Sequence, residues 1–130
     1  MSNLLDTDWA INYLNGDPET IQRVDALRSE GIRISIISVA ELYEGALNSY
    51  EPERGERAMN DFLRPFPIID LDIPICRIFG VERARLRAAG TLIPDMDLLI
   101  GATALRHNLT LLSNNRRHFE RLPGLTIISI

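Results

Sequence analysis

Apolar positions in this chain fall into short runs separated by longer stretches with helical spacing. The runs predict strands at residues 3–6, 32–38, 67–72, 109–113 and 125–129. The segments between them predict helices at about 8–14, 17–30, 38–50, 52–66, 73–90 and 93–105, with a short one near 115–122. Alternation of this kind predicts a single α/β domain over residues 1–130, with a mainly parallel β-sheet flanked by helices.

The segment IPDMDLLIGATAL (93–105) combines acids with a run that has no charge. A helix that is apolar on every side is normally buried. Its small residues (101–104) are predicted to let the helix lie close to the sheet, so that its N-terminus reaches the strand ends. Residues two apart point about 200° apart on a helix. We therefore expect Asp95 to cap the helix and Asp97 to face a site.

Composition adds limits to this picture. The chain has 130 residues, 45% hydrophobic and 25% charged, without an apolar run near the roughly 20 residues that span a bilayer. The opening MSNLLDTDWA lacks a basic region, so a signal peptide is not expected. Cys76 is the only cysteine and is predicted to be a small core residue. These features favour a cytoplasmic protein without membrane contact.

The charge is unevenly distributed along the chain. The net charge is −4, and every basic residue is an arginine. Acids outnumber arginines by 14 to 6 in residues 1–75, whereas arginines outnumber acids by 8 to 4 in residues 76–130. Charge runs are usually solvated faces, so this asymmetry alone does not identify a partner.

Oxygen-bearing side chains follow the predicted strands. Asp6 comes directly after the first strand, Glu41 follows the second, and Asn114 and Asn115 follow LTLLS. Together with Asp97, they would meet at one edge of a parallel sheet, where ligands collect. Clustered carboxylates repel one another unless a cation neutralises them, and hard oxygen donors suit Mg²⁺ or Mn²⁺.

Plainer interpretations of these residues remain open. Glu41 stands three residues after Ser38, in the spacing of a capping box, and Asp8 could cap the first helix. Trp9 is interpreted as a packing residue. His107 and His118 are interpreted as structural or surface residues, because no cysteine or second histidine completes a zinc site.

Four segments in order resemble a known family. LLDTD, ISIISVAELYEGA, IPDMDLLIGATAL and LTLLSNNRRHFERLPGLTII resemble the motifs of PIN-domain ribonucleases, specifically the VapC-type toxins of type II toxin–antitoxin systems. The resemblance covers almost the whole chain. It departs from the family at Asn115, where many members carry a fourth acid.

The resemblance implies a metal-dependent endoribonuclease. Asp6, Glu41 and Asp97 would hold one or two Mg²⁺ or Mn²⁺ ions. Asn115 would complete the catalytic set, with Asp95 or Asp8 as the alternative that compensates for the missing charge. Arg116 and Arg117 would bind substrate phosphate. The implied partners are a VapB-type antitoxin, an RNA substrate such as tRNA or rRNA, and a second copy of the chain in a homodimer.

Two other functions are compatible with parts of the sequence. LLDTDWA also matches the D-x-D motif of haloacid-dehalogenase-like phosphatases, with Asp6 as nucleophile and Asp8 as general acid. That family usually continues with Gly-Thr, where this chain has Trp9-Ala10, and uses a later lysine or arginine, most often lysine, which this chain lacks. The second alternative is a catalytically inactive PIN-fold RNA-binding module, which Asn115 would suit.

Overall fold

A five-stranded parallel sheet forms the centre of the molecule. The computed structural model describes residues 2–130. The sheet order is β3-β2-β1-β4-β5 and every neighbouring pair is parallel. The strands are β1 (Asn3–Leu5), β2 (Ile32–Ser35), β3 (Ile68–Ile69), β4 (Thr110–Leu112) and β5 (Ile127–Ile128). This confirms the predicted α/β class.

Seven helices connect and cover the strands. They are α1 (Thr7–Leu14), α2 (Pro18–Leu27), α3 (Ile36–Leu47), α4 (Pro52–Leu63), α5 (Ile73–Ala88), α6 (Asp95–His107) and α7 (Arg116–Phe119). Asp17 caps α2 by accepting the backbone N–H of Thr20, as predicted, and Pro18 occupies the first helical position. None of the helices in residues 2–130 has the length and apolarity needed to cross a bilayer.

The sheet separates two hydrophobic cores. Successive strand residues point to opposite faces, so Leu5 contributes to one core and Leu4 to the other. Helices α1 to α4 cover the first face, with Trp9 fully buried among them. Helices α5 to α7 cover the second. The carboxyl ends of β1, β2 and β4 therefore open between two helical layers.

Two boundaries differ from the sequence prediction. The apolar run at 32–38 was expected to be one strand, but β2 ends at Ser35 and α3 starts at Ile36. The side chain of Ser35 accepts the N–H of Ile37 and caps α3. Asp95 was expected to cap α6 but lies inside its first turn, where it makes no cap hydrogen bond, and Pro94 occupies the cap position.

Cys76 also differs from expectation. It is exposed on α5 rather than packed in a core. Its helix turns only part of its surface inward, through residues such as Ile75 and Leu86, so a neighbouring position faces outward.

Candidate active site at the carboxyl edge of the sheet

Asp6 is the most buried acid of the site. It follows β1, caps α1 through its backbone position and is only 4% exposed. Ser113, which follows β4, donates its hydroxyl to Asp6 Oδ2 over 2.6 Å. Burial, together with the nearby carboxylates of Asp8 and Asp97, raises the pKa of Asp6 to about 7, against the lowering effect of the hydrogen bonds from Ser113 and the Thr7 backbone. The fold thus brings Asp97 close enough to act, together with the neighbouring Asp8, on the buried carboxyl of Asp6.

Glu41 is held by α1. The Thr7 hydroxyl donates to Glu41 Oε1 over 2.6 Å and lies 2.9 Å from the Ser38 hydroxyl. Ser38 is buried in the interior of α3. The capping-box interpretation of Glu41 is therefore wrong, because the helix starts one turn earlier and Ser35 is its cap. Glu41 instead points its carboxylate toward the residue next to Asp6.

Asp97 faces α7 from the first turn of α6. Its Oδ2 atom lies 2.7 Å from His118 Nδ1 and accepts a hydrogen bond from Asn115 Nδ2 over 3.2 Å. Asp95 turns away from this contact and pairs with Arg83 over 2.8 Å. The expected divergence of the two acids is confirmed, but the partner of Asp95 is an arginine on α5.

Asp8 joins the start of α1 to the loop after β4. Its Oδ1 accepts the N–H of Trp9 over 2.7 Å, and its Oδ2 accepts the N–H of Asn114 over 3.0 Å. Burial raises its pKa above the ordinary value of an aspartate. The indole of Trp9 donates to Asn114 Oδ1 over 3.0 Å while its rings are fully buried. Trp9 is a packing residue, as interpreted from the sequence.

These acids lie along the same edge of the sheet, but their carboxylates do not converge on one point. Among residues 2–130, no three His, Cys, Asp or Glu side chains are close enough together to enclose a metal ion. Each acid is instead held by its own donor: Ser113 for Asp6, Thr7 for Glu41, and α7 for Asp97. The chemistry of these side chains nevertheless suits a hard divalent cation, because all three are carboxylates, and burial together with neighbouring negative charge raises the pKa of Asp6.

The two arginines predicted to bind phosphate differ in their surroundings. Arg116 contacts Glu120 over 3.3 Å and donates to the Ile127 carbonyl over 3.0 Å, which ties α7 to β5. Arg117 is exposed. Arg116 is exposed as well, but its guanidinium is engaged by these contacts, so Arg117 is the better candidate for binding a ligand. Both assignments stay predictions.

An apolar cleft opens beside Glu41. It has a volume of about 320 Å³ and is lined mainly by α1, α3 and α4. Ile11 and Leu14 of α1 line it and are 44% and 36% exposed. Gly45 on α3 also lines it, and a Cβ at that position would meet no atom within 4 Å.

Comparison with known proteins identifies the family. Residues 4–125 match the PIN domain. This chain belongs to the PIN-domain family. It is 33% identical over 124 residues to the tRNA(fMet)-specific endonuclease VapC of Salmonella typhimurium, covering 95% of this chain and 94% of the relative. It is 37% identical over 122 residues to ribonuclease VapC2 of Haemophilus influenzae, covering 94% and 92%.

Solved structures agree with the sequence relatives. The VapBC2 complex of Rickettsia felis bound to promoter DNA contains a chain with a TM-score of 0.94 and 30% identity, covering 100% of this chain and 99% of that one. The DNA-bound VapBC of Salmonella typhimurium gives a TM-score of 0.92 at 32% identity, with 99% and 98% covered. The chain is thus a PIN domain of the VapC type.

The phosphatase alternative does not fit this site. Its general acid would be Asp8, but both carboxylate oxygens of Asp8 accept backbone hydrogen bonds. The PIN match over residues 4–125 likewise gives it no support.

Three residues of the site were not identified from the sequence. Ser113 and Thr7 are common residue types whose role depends on which acid they meet in the fold. His118 was interpreted as structural or surface, whereas it contacts Asp97. The only sequence feature that points to a role for His118 is its position three residues after Asn115, which places both residues on the same side of a helix.

Proposed function

We propose that this protein is a metal-dependent endoribonuclease and the toxin of a type II toxin–antitoxin pair. The supporting observation is the burial of Asp6 at 4% exposure within reach of the charges of Asp8 and Asp97. A buried carboxyl surrounded by like charges is poorly stabilised on its own and favours a bound cation. The VapC relatives named as ribonucleases support RNA as the substrate.

Asp6, Glu41 and Asp97 would hold the ion, which we propose to be Mg²⁺ or Mn²⁺. When bound, such an ion lowers the pKa of water and stabilises charge on the phosphoryl oxygens. The protein's own contribution is to fix the ligands. Ser113 orients Asp6, the Thr7 hydroxyl orients Glu41, and Asn115 donates to Asp97. Asn115 therefore acts here as a donor, although many members of the family carry an acid there.

Substrate phosphate would bind at α7, next to the acids. Arg117 lies two residues after Asn115, with its side chain exposed. A guanidinium group can donate two hydrogen bonds to one phosphate. The name of the Salmonella relative specifies tRNA(fMet). We propose structured RNA, such as tRNA or rRNA, as the substrate class of this chain.

The apolar cleft beside Glu41 is where we place the antitoxin. The solved relatives are complexes of VapC with VapB. The cleft exposes apolar side chains of α1 and leaves open space above Gly45, which suits an apolar segment of a partner. Acids on α3 and α4, including Glu44, Glu53 and Glu56, suit basic residues flanking that segment. A homodimer of the toxin is a further part of this proposal.

RNA cleavage by the purified, antitoxin-free protein tests the proposal. We expect cleavage with Mn²⁺ or Mg²⁺, none with EDTA, and a loss of at least about 100-fold in Asp6→Asn and Asp97→Asn, since each removes a ligand charge. Asp95→Asn is the matched control. It lies in the same helical turn as Asp97 but pairs with Arg83, so it should cleave like the wild type.

Two results would count against the proposal. A wild type that cuts no RNA with either ion present would favour the inactive RNA-binding module. Equal cleavage by wild type, Asp6→Asn and Asp97→Asn would leave the nuclease in place but refute the site.

A further inference from the structure

Asp97 receives two hydrogen-bond donors on one oxygen, and both come from α7 or its cap. His118 Nδ1 lies 2.7 Å from Asp97 Oδ2, and Asn115 Nδ2 lies 3.2 Å from the same atom. The side chains of Asp97 and His118 are 18% and 28% exposed, so water has limited access to this contact. Oδ1 of Asp97 accepts no hydrogen bond from residues 2–130 and remains for another ligand.

The contact fixes which nitrogen of His118 carries a hydrogen. An ionised carboxylate oxygen only accepts, so the contact with Asp97 selects the tautomer of His118 that carries hydrogen on Nδ1. The Asn115 amide is oriented by the same argument, with its nitrogen toward Asp97. His118 Nδ1 also lies 2.8 Å from Asn115 Nδ2, and in this tautomer that contact is not a hydrogen bond, because both nitrogens donate to Asp97 Oδ2.

Packing between α6 and α7 holds this arrangement in place. Asp97 and Gly101 are four residues apart and share one face of α6. A Cβ on Gly101 would clash with Cδ1 of Leu122 and lie 3.6 Å from Phe119, and these two residues are 2% and 0% exposed. The face that carries Asp97 is therefore pressed against the buried residues that anchor α7. His118 directly precedes one of them, Phe119.

We propose that His118 is a positioning residue that, through Nδ1–H, holds Asp97 in the orientation required for a divalent cation. Partners of this kind fix the orientation of a metal ligand and raise the affinity of the site. The inference rests on the proposed metal dependence, and it goes beyond the acids by assigning a role to a histidine. The hydrogen bond carries the effect, so a neutral donor at the same position is sufficient.

Calorimetric titration of the RNA-free full chain with Mn²⁺ alone tests this role through three substitutions. His118→Asn places an amide nitrogen close to the position of Nδ1, His118→Gln places it near Nε2, and His118→Leu has no donor. We expect Leu and Gln to weaken Mn²⁺ binding by about 10–100-fold, the usual effect of losing such a partner. His118→Asn should stay within a few-fold of the wild type.

The thermal midpoint in EDTA and a second histidine serve as controls. His107 lies at the opposite end of α6, about 18 Å along the helix axis from Asp95. His107→Leu should leave Mn²⁺ affinity unchanged even if the midpoint moves. Equal weakening in Asn, Gln and Leu, or wild-type affinity in His118→Leu, would overturn the positioning role. A wild type that binds no Mn²⁺ would refute the metal-dependent function itself, and this inference with it.

Discussion

The ionised form of Asp6 is disfavoured by its surroundings. It has lost most of its hydration, and the charges of Asp8 and Asp97 act on it, so its pKa rises from 3.8 to about 7. The hydrogen bond from Ser113 offsets only part of this effect. A carboxyl in this state is protonated at a higher pH than an ordinary aspartate when no cation is bound.

A pH dependence of metal-free stability follows from this shift. The folded pKa lies above the unfolded value, so the folded state binds the proton more tightly and its stabilising effect is complete below about pH 4. This contribution to the free energy of unfolding, at most roughly 4 kcal/mol, is lost as the pH rises to about 7 and beyond. Asp6→Asn stays neutral at every pH and should lack this component.

Denaturant unfolding in EDTA between about pH 4 and 8 measures the contribution of Asp6 to stability. We expect wild-type stability to fall relative to Asp6→Asn as the pH increases. Parallel pH profiles for the two proteins would mean that Asp6 is not strained in this way.

At the residue scale, the acids of the site are easier to recognise in the sequence than the residues that donate hydrogen bonds to them. Asp6 and Asp97 stand next to apolar runs, where a charge is conspicuous, and parallel strands bring such positions to one edge. Ser113 and Thr7 have no comparable pattern. Their roles depend on hydrogen bonds across 107 and 34 residues of sequence, which only the folded chain defines.

The order and type of the elements followed from periodicity. The strands and helices occur where the alternation of apolar runs predicts them, and α6 is buried as expected. The boundary between β2 and α3 was misplaced because IRISIIS stays apolar through both elements, and the β-branched residues continue past the end of the strand. Ser35, the actual cap, looks like any other strand residue in that run.

One small residue of α6, Gly101, makes a different contact from the one expected. It was predicted to bring the helix against the sheet, but Gly101 faces Leu122 and Phe119. A glycine inside a helix costs about 0.5–1 kcal/mol relative to alanine. Close contact with the buried side chains beneath α7 explains why it is present.

Two glycine substitutions test this explanation at the element scale. Gly101→Ala brings its Cβ into a clash with the Cδ1 atom of Leu122, which is buried and has little room to rotate away, so overpacking should outweigh the gain in helix propensity and destabilise the fold by about 1–3 kcal/mol. Gly45→Ala is the matched control, because its Cβ meets open space in α3, and it should stabilise by about 0.5–1 kcal/mol. Unfolding free energies measure both. Stabilisation by Gly101→Ala would contradict the packing argument.

For the whole molecule, the fold turns the charge asymmetry of the sequence into a spatial one. The acid-rich first part forms the layer of α1 to α4, and the arginine-rich second part forms the layer of α5 to α7. The site lies at the edge between them. This division supports an RNA path over the α7 side and an antitoxin contact on the side of the apolar cleft.

Salt dependence of RNA binding tests the contribution of Arg117 to that path. In an Asp6→Asn background, which should bind RNA without cutting it, Arg117→Ala should reduce the slope of log affinity against log salt by about 0.7–0.9, the effect of one phosphate contact on a single strand or a duplex. Arg54→Ala on α4, where Arg54 pairs with Glu51, should leave the slope unchanged. Equal slopes in all three proteins would remove Arg117 from the RNA contact.

The location of a bound cation is the most direct test of the proposed metal site. Anomalous scattering from crystals soaked in Mn²⁺ would place the ion without any assay of activity. We expect a peak at the carboxyl edge of the sheet, about 2.0–2.3 Å from oxygens of Asp6 and Asp97 and reached by Glu41 directly or through water. No peak at that edge, or a peak only at surface acids such as Glu51 and Glu53, would contradict it.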